Sequence, residues 1–513
     1  MLSRNFLSGS FALAIAASRQ GLAWANQAPK SIIDYGAKPD GKTVNSRVIQ
    51  RAIDDASQAG GGIVHVPSGT FLTGRINLKS HVTLYLDQGS TLRGSPSLND
   101  YDSEDEGGEG RQRHLIYARD VEGVTLAGPG RIDGQGKNFW EPSGKTPIPD
   151  EEQWRDFSSR VLGPKKSGRP SPMLYFVNCR QLRIEDVRIE NSPGWTLHML
   201  NCDDLTIKGI AIKTPVVGPN TDGIDMTGCQ NVQVSDCSVD TGDDAICLKS
   251  ENPYGPEPRL TKNVVVTNCH LTTCCNGFKL GTSSEGGFEN ITFSNSVIYN
   301  DKVELKARVI SGIALEVVDG GWIDGVVVNG IQMQRTRAPI FIRVGNRKRP
   351  HDYPKQGIRG VSIDNLQASE AVIASSITGL SGMDVQDVTL SNIHIASVLP
   401  SRPEWVGRPV PEKDAAYPEA IMFGMLPASG LYVRHARNLR LNNVEFTAPA
   451  GEARPTIIFD DVTRARVTGL KSTPVSGGLP VVQVVHSENV HLSEASPART
   501  TLPEDPPASN ASV

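Results

Sequence analysis

The stretch Asn231-Val232-Gln233-Val234-Ser235-Asp236-Cys237-Ser238-Val239 decides the fold. Apolar and polar residues alternate through Val234, break at Ser235-Asp236 and resume, which describes two short strands, each burying one face. The same pattern stands at Gln181-Leu182-Arg183-Ile184, Asp204-Leu205-Thr206-Ile207, Asn263-Val264-Val265-Val266 and Asn290-Ile291-Thr292-Phe293. It returns as far along as Asn438-Leu439-Arg440-Leu441 and Asn489-Val490-His491-Leu492. Leu182 and Leu205 are 23 positions apart, and 27 positions separate Leu205 from Val232 and Val361 from Val388. A strand repeat with a period in the twenties and no helix between copies predicts coils stacked as a parallel β-helix. A β-sandwich would need hairpin signals such as Asn-Gly or Asp-Gly joining its strands, and none separates the paired short strands of the copies quoted above.

The repeat overrides the length, 513 residues, which alone suggests about three domains. One all-β domain is expected over 26–495, flanked by an export signal (1–25) and a disordered tail (496–513) rich in Pro, Ser and Ala. In the signal, Arg4 precedes the apolar run Phe11–Ala17, and Ala23-Trp24-Ala25 offers a cleavage site. The run is too short to span a bilayer, so the protein is expected outside the cytoplasm, periplasmic or extracellular, and not in a membrane. Residues 44–58 place Val48, Ile49, Ala52, Ile53 and Ala56 at helical spacing. A lone amphipathic helix before a strand-rich chain reads as a cap over the open apolar end of the stack.

A net charge of −4 and a pI near 6.2 exclude a nucleic-acid partner, because no basic field gathers phosphates. All eight cysteines fall between Cys179 and Cys275. They form no CxxC pair with a histidine pattern, so no metal or cofactor is called for. They read as small buried apolar residues stacked coil on coil; one or two disulfides, which export would permit, are the competing arrangement. The rhythm breaks at 101–113, 134–172, 346–358 and 398–429. Insertions in a solenoid map to loops on one face, often the binding face. Phe139, Trp140, Trp154, Phe157, Trp405, Tyr417 and Phe423 lie in these insertions, to stack on sugars or to pack the loops.

Two acidic turn motifs stand between the strands: Asn220-Thr221-Asp222-Gly223 and, 21 positions on, Thr241-Gly242-Asp243-Asp244. If that separation is one coil, Asp222 and Asp243 take equivalent places on neighbours ~4.8 Å apart. Crowded carboxylates raise at least one pKa, which yields an acid and a base from one residue type. Hydrolysis of a glycosidic bond needs that pair. Asp243 and Asp244 can share a site only if the chain bends between them, a bend Gly242 allows.

These motifs, with Ser192-Pro193-Gly194-Trp195-Thr196-Leu197-His198, Lys249-Ser250 and the opening Asp34-Tyr35-Gly36-Ala37, resemble glycoside hydrolase family 28, the polygalacturonase and rhamnogalacturonase group. The resemblance covers most of 30–495. It implies a right-handed, pectin-lyase-like β-helix that hydrolyses α-glycosidic bonds of a pectic poly- or oligosaccharide with inversion; the chain is expected to be a monomer. It assigns Asp243 as general acid, Asp222 and Asp244 as the residues that hold and activate water, and Asn220 as an orienting or turn residue.

The chain departs from that family at two places. Its Gly-His-Gly motif is replaced by Cys275-Asn276-Gly277, and its Arg-Ile-Lys, which grips a galacturonate carboxylate, by Ala314-Leu315-Glu316. A glutamate at that subsite would repel a carboxylate, so a rhamnogalacturonan-type or other mixed chain is expected over homogalacturonan. Lys279 and Arg343 are the candidates to restore the missing cation. Arg343, 27 positions after Glu316, could instead bridge to it. His198 could line a sugar subsite or make a structural hydrogen bond. Substrate contacts are thus expected from Asn220, His198, Asn276, Lys279, Glu316 and Arg343. A β-helix polysaccharide lyase, a polygalacturonase and a non-catalytic carbohydrate-binding β-helix are the rival readings.

Overall fold

The computed structural model describes residues 28–493, apart from 103, 106–110, 147, 157, 303 and 348–355. The expected export signal, the tail, Phe157 and most of the 346–358 insertion lie outside the described residues.

The coil containing the opening stretch shows the plan. Ile224–Thr227, Gln230–Ser235 and Ser238–Thr241 are consecutive short strands. Each pairs in parallel with its counterpart one coil before and one coil after. Three parallel sheets therefore run along a right-handed β-helix, and 35 of the described strands join one hydrogen-bonded network. From Gly287–Tyr299 onward the second and third strands fuse, as in Trp322–Gln334 and Val385–Ser397.

The asparagines and aspartates between strands explain the corners. Asp204, Asn231, Asn263 and Asn290 all have φ between 54° and 58°, the left-handed region that Asn and Asp tolerate better than other side chains. Their side chains also link coil to coil: Asn231 Nδ2 donates to Asp204 Oδ1 (3.0 Å), Asn263 to Asn231 (2.9 Å) and Asn290 to Asn263 (3.1 Å). Inside, Val232, Val264, Ile291, Val326 and Val361 stack in register, each at most 1% exposed.

The predicted cap is the helix α1, Ser46–Gln58. Ile49, Ala52, Ile53 and Ala56 are fully buried against the first coil. No helix among the described residues is long and apolar enough to cross a membrane.

The sheets differ in what covers them. Strands of the second sheet alternate buried and exposed residues, as in Asp203–Lys208 and Gln230–Ser235. Strands of the first sheet bury both faces: Leu197–Leu200, Ile224–Thr227 and Val309–Val317 are buried throughout. A parallel strand reads as continuously buried when something packs on both sides. Here the outer cover is loops. Tyr254, from 251–260, packs on Tyr117, Tyr175, Val177 and Leu200. The 398–429 insertion forms a second apolar core over Ala314, Phe341 and Tyr432 through Trp405, Phe423 and Met425. Between these two covers, at the turns that lead into the strands, a cleft opens to solvent.

All eight cysteines are buried and unpaired. Cys179, Cys202 and Cys229 follow one another on consecutive coils, with the Cys179 N–H donating to Cys202 Sγ at 3.3 Å. Thiol titration of protein prepared without reductant should therefore find eight reactive groups on denaturation and almost none in the native state. Six would reveal a disulfide.

Candidate active site

The opening between the two covers is where the acidic turns lie. The register there is one residue from the sequence expectation. Ile224 pairs with Ile246, and Gly223 N–H donates to Asp244 O (2.8 Å), so the coil-to-coil partner of Asp222 is Asp244. Asp243 sits on the bend before it. The extra residue is fitted by a tight turn: Thr241 and Thr273 hydroxyls both donate to Asp243 O (2.7 and 2.6 Å), and Gly242 N–H donates to Thr221 Oγ1 (3.1 Å). A Cβ at Gly242 would lie 2.6 Å from Gly218 O and 2.8 Å from Thr221 Oγ1, so only glycine fits. The bend brings Asp222, Asp243 and Asp244 together, with Asp222 and Asp244 each 5% exposed and Asp243 half-buried.

Electrostatics separate the neighbours. Asp243 is pushed up to about 6 by burial and by Asp244. Burial acts against ionised Asp244 too, but Lys279 and Lys249 outweigh it and hold its carboxyl below the usual range. Lys279 Nζ lies 3.1 Å from Asp244 Oδ2, and Asn276 Nδ2 donates to Asp244 Oδ1 (2.8 Å). Asp222 is raised well above its ordinary value by burial, then by Asp243 and Asp225. Lys249, buried beside them, pairs with Asp225 Oδ1 (2.6 Å) and packs over the Trp195 ring. Asp225 overcomes burial and keeps that ammonium charged. One carboxyl that keeps its proton beside one that loses it is the arrangement general acid and base catalysis requires.

A cleft of about 510 Å³ opens over Asp243, lined by Lys145, Ser159, Arg160, Asn220, Cys275, Tyr417 and Glu419 among others. Its walls come from the insertions. The 134–172 segment contributes an antiparallel pair, Trp140–Pro142 with Leu162–Pro164. Trp140 is buried and donates from Nε1 to Pro193 O (2.8 Å). Phe139, Trp154, Trp405 and Phe423 also pack the loops. Among the described residues, Tyr417, 56% exposed in the cleft, is the insertion aromatic left to face a sugar.

Several residues expected to touch substrate do something else. Asn276 is fully buried, and its amide is spent on Asp244. His198 is buried, bonds through Nε2 to Thr227 Oγ1 (2.9 Å) and stacks on Tyr175. Burial, Lys249 and His114 hold its imidazole well below the ordinary value. Lys279 is 1% exposed, shared between Asp244 and Glu316 (3.7 Å). Ala314 and Glu316 are both 0% exposed beneath the 398–429 insertion, so Glu316 does not face a sugar. Burial pushes its carboxyl up to about 8 against the pull of Lys279, which removes the expected repulsion. Arg343 is in register with Glu316, as the spacing implied. It makes no bridge to it. Its guanidinium donates to Gly379 O (3.1 Å), Glu412 O (2.8 Å) and Lys413 O (3.2 Å), strapping the insertion down. Asn220, with φ 49°, is an exposed turn residue on the cleft wall and accepts from Arg169 Nη2 (3.1 Å).

Sequence reasoning missed Glu419, Arg169 and the Asp225–Lys249 pair, whereas Tyr417 was among the aromatics it named. Asp225 and Lys249 stand inside the quoted motifs, where their acid and base character was visible. Glu419 lies in a non-repeating loop and carried no signal.

With this geometry in view the comparisons are direct. The family model for glycosyl hydrolases family 28 matches residues 57–405, and the chain belongs to that family. It is 28% identical over 392 residues to a probable polygalacturonase of Vitis vinifera, covering 72% of this chain and 74% of that one. It is 25% identical to an exo-poly-alpha-D-galacturonosidase of Dickeya chrysanthemi (72% and 68% covered). Its structure is similar to an exopolygalacturonase of Thermotoga maritima, with TM-score 0.63, 25% identity and 82% and 92% coverage.

Replacing Arg343 by alanine should orphan the carbonyls it binds. Unsatisfied buried groups cost about 1–3 kcal/mol each, so a lowered melting temperature is expected. Turnover of acidic and neutral substrates should fall by the same factor. A loss confined to acidic substrates would instead make Arg343 a substrate contact.

Proposed function

We propose that this chain is an inverting, exo-acting hydrolase that removes sugars from the end of a pectic chain and prefers rhamnogalacturonan-type or other mixed ends over homogalacturonan. The observation that carries this reading is the coverage of the first sheet: both sides of the cleft are roofed, by 251–260 and by 398–429. A polymer cannot lie along the sheet and must enter end-on. Asp243, with its raised pKa, protonates the leaving oxygen. Asp244, held ionised by Lys279 and Lys249, takes the proton from water as that water attacks the anomeric carbon. Asp222 orients the water. The preference for mixed ends rests on the floor of the site. Lys279 is committed to Asp244 and Glu316, and Arg343 to the loop, so neither cation is free for a galacturonate carboxylate.

Homogalacturonan hydrolysis is the second reading. Lys145 and Arg160 on the opposite wall favour it, as do the names of the relatives. Lyase chemistry is less well supported, because Lys249 and Lys279 already occupy the carboxylate cluster where a calcium ion would sit.

Removing the acid tests the chemistry. Asp243→Asn should fold normally and lose about 10²–10⁴-fold in turnover of the natural substrate; wild-type rates would reject the assignment.

A panel of pectic oligosaccharides, read by product mass and early-time anomeric NMR, tests the rest. One sugar or a short unit should leave the chain end with inverted configuration, fastest from mixed chains. A retained anomer would contradict the mechanism, and a ladder of internal fragments the exo action. Faster cleavage of homogalacturonan, lost in Lys145→Ala, would favour the second reading. An unsaturated product would indicate a lyase.

A further inference from the structure

Glu419 is a half-buried residue whose carboxyl the three-aspartate scheme does not use. The 398–429 insertion delivers it to the cleft beside Asp243 and Cys275. The segment around it is fastened by Arg343, by Arg434, which donates to Val410 O and Pro411 O, and by His435, which contacts Glu412 Oε1 at 3.1 Å. Glu419 is thus held in place by the coils rather than swept in with a free loop. Cys275 Sγ–H reaches Glu419 Oε1 at 4.0 Å, and Glu419 Oε2 is buried with no hydrogen-bond partner among the described residues.

The charges facing it come from every neighbouring element. Asp243 and Asp244 lie on the acidic turn, Cys275 and Lys279 on the next coil, Glu316 and Arg337 on the two after that, and Tyr417 on its own loop. The two cations packed against it have other partners, and Lys145 and Arg160 stand on the opposite wall of the cleft. Lys279 is shared between Asp244 and Glu316. Arg337 spends its guanidinium on the carbonyls of Arg308, Trp154, Asp156 and Cys274. A buried carboxyl without its own counter-ion keeps its proton.

We propose that Glu419 is a positioning carboxyl that shares a proton with Asp243 across the cleft and so sets the alkaline limit of the reaction. It fills a role left open where Asn276 stands in place of a titratable side chain. The proposal rests on Asp243 as general acid. As the glycosidic C–O bond breaks, the Asp243 proton goes to the leaving oxygen. Water forms the new bond at the anomeric carbon and gives its proton to Asp244, which releases it to solvent. The Glu419 proton then reloads Asp243, and Glu419 takes another from solvent. Burial, opposed by Lys279 and assisted by Asp244 and Asp243, pushes Glu419 up to about 7, above Asp243 at about 6. The pair titrates as a unit, so a proton remains available up to about pH 7.

The test is the pH dependence of kcat/KM for Glu419→Gln, which keeps the shape and cannot titrate. An acid with a raised pKa acts below that pKa and fails above it. Without its partner, Asp243 should fail about one unit earlier, giving roughly a tenfold loss at pH 7.5 and little change at pH 5. Glu419→Asp should restore the limb in part. An aryl glycoside whose leaving group needs no protonation should be cleaved by wild type and Glu419→Gln at equal rates. An equal loss at every pH, or on the aryl glycoside as well, would reduce Glu419 to a structural role and overturn the proposal, as would an unchanged profile. Wild-type turnover by Asp243→Asn would defeat the underlying assignment, whatever Glu419 does.

Discussion

Parallel strands joined by hydrogen bonds repeat at about 4.8 Å, and the active-site chemistry depends on that step. Each coil places one residue on the next, so Asp222 and Asp244 meet because Ile224 pairs with Ile246. Lys279 meets Asp244 from the following coil and Glu316 from the one beyond. The fold cannot move these charges apart without breaking register, and register is held by the Asn ladder and the stacked valines inside. Charge is therefore crowded by the backbone, and the side chains respond by keeping protons or sharing ammonium groups.

Lys279 is central to that response. A buried ammonium between two carboxylates avoids being an unpaired charge, and removing one member of such a set typically costs about 3–5 kcal/mol. Its pull is unequal: Asp244, at 3.1 Å, stays ionised, whereas Glu316, at 3.7 Å and fully buried, does not lose its proton easily. Asp243, one residue away and without a direct lysine, keeps its proton to about 6. The carboxyl that keeps its proton and the one that loses it are thus distinguished by which of them the lysine reaches.

The sequence was most legible where it repeats. The alternation, the period and the Asn or Asp corners defined the β-helix, because each coil must solve the same packing problem. The capping helix was visible because its apolar face had no other partner. Asp243 and Asp244 were legible from their motif and Gly242. The register of Asp222 was read one residue away, since the bend at Gly242-Asp243 absorbs a position that counting cannot see. His198, Asn276, Lys279, Glu316 and Arg343 were expected to face substrate because they stand in, or could replace, the family motifs that grip a sugar. Here Tyr254 and the 398–429 insertion cover the outward row. Nothing in the local pattern announces a cover supplied by a non-repeating loop, and the same blindness hid Glu419.

The proposed mechanism turns on a proton held by Asp243 near neutral pH. It is seen most directly by carbon NMR of protein labelled at the aspartate carboxyl, titrated without substrate. One aspartate signal should titrate near pH 6 and vanish in Asp243→Asn, while the Asp244 signal titrates below the usual aspartate range. If the Asp243 carboxyl were already ionised at pH 4.5, it would hold no proton to give the leaving oxygen at neutral pH, and the mechanism proposed here would be wrong.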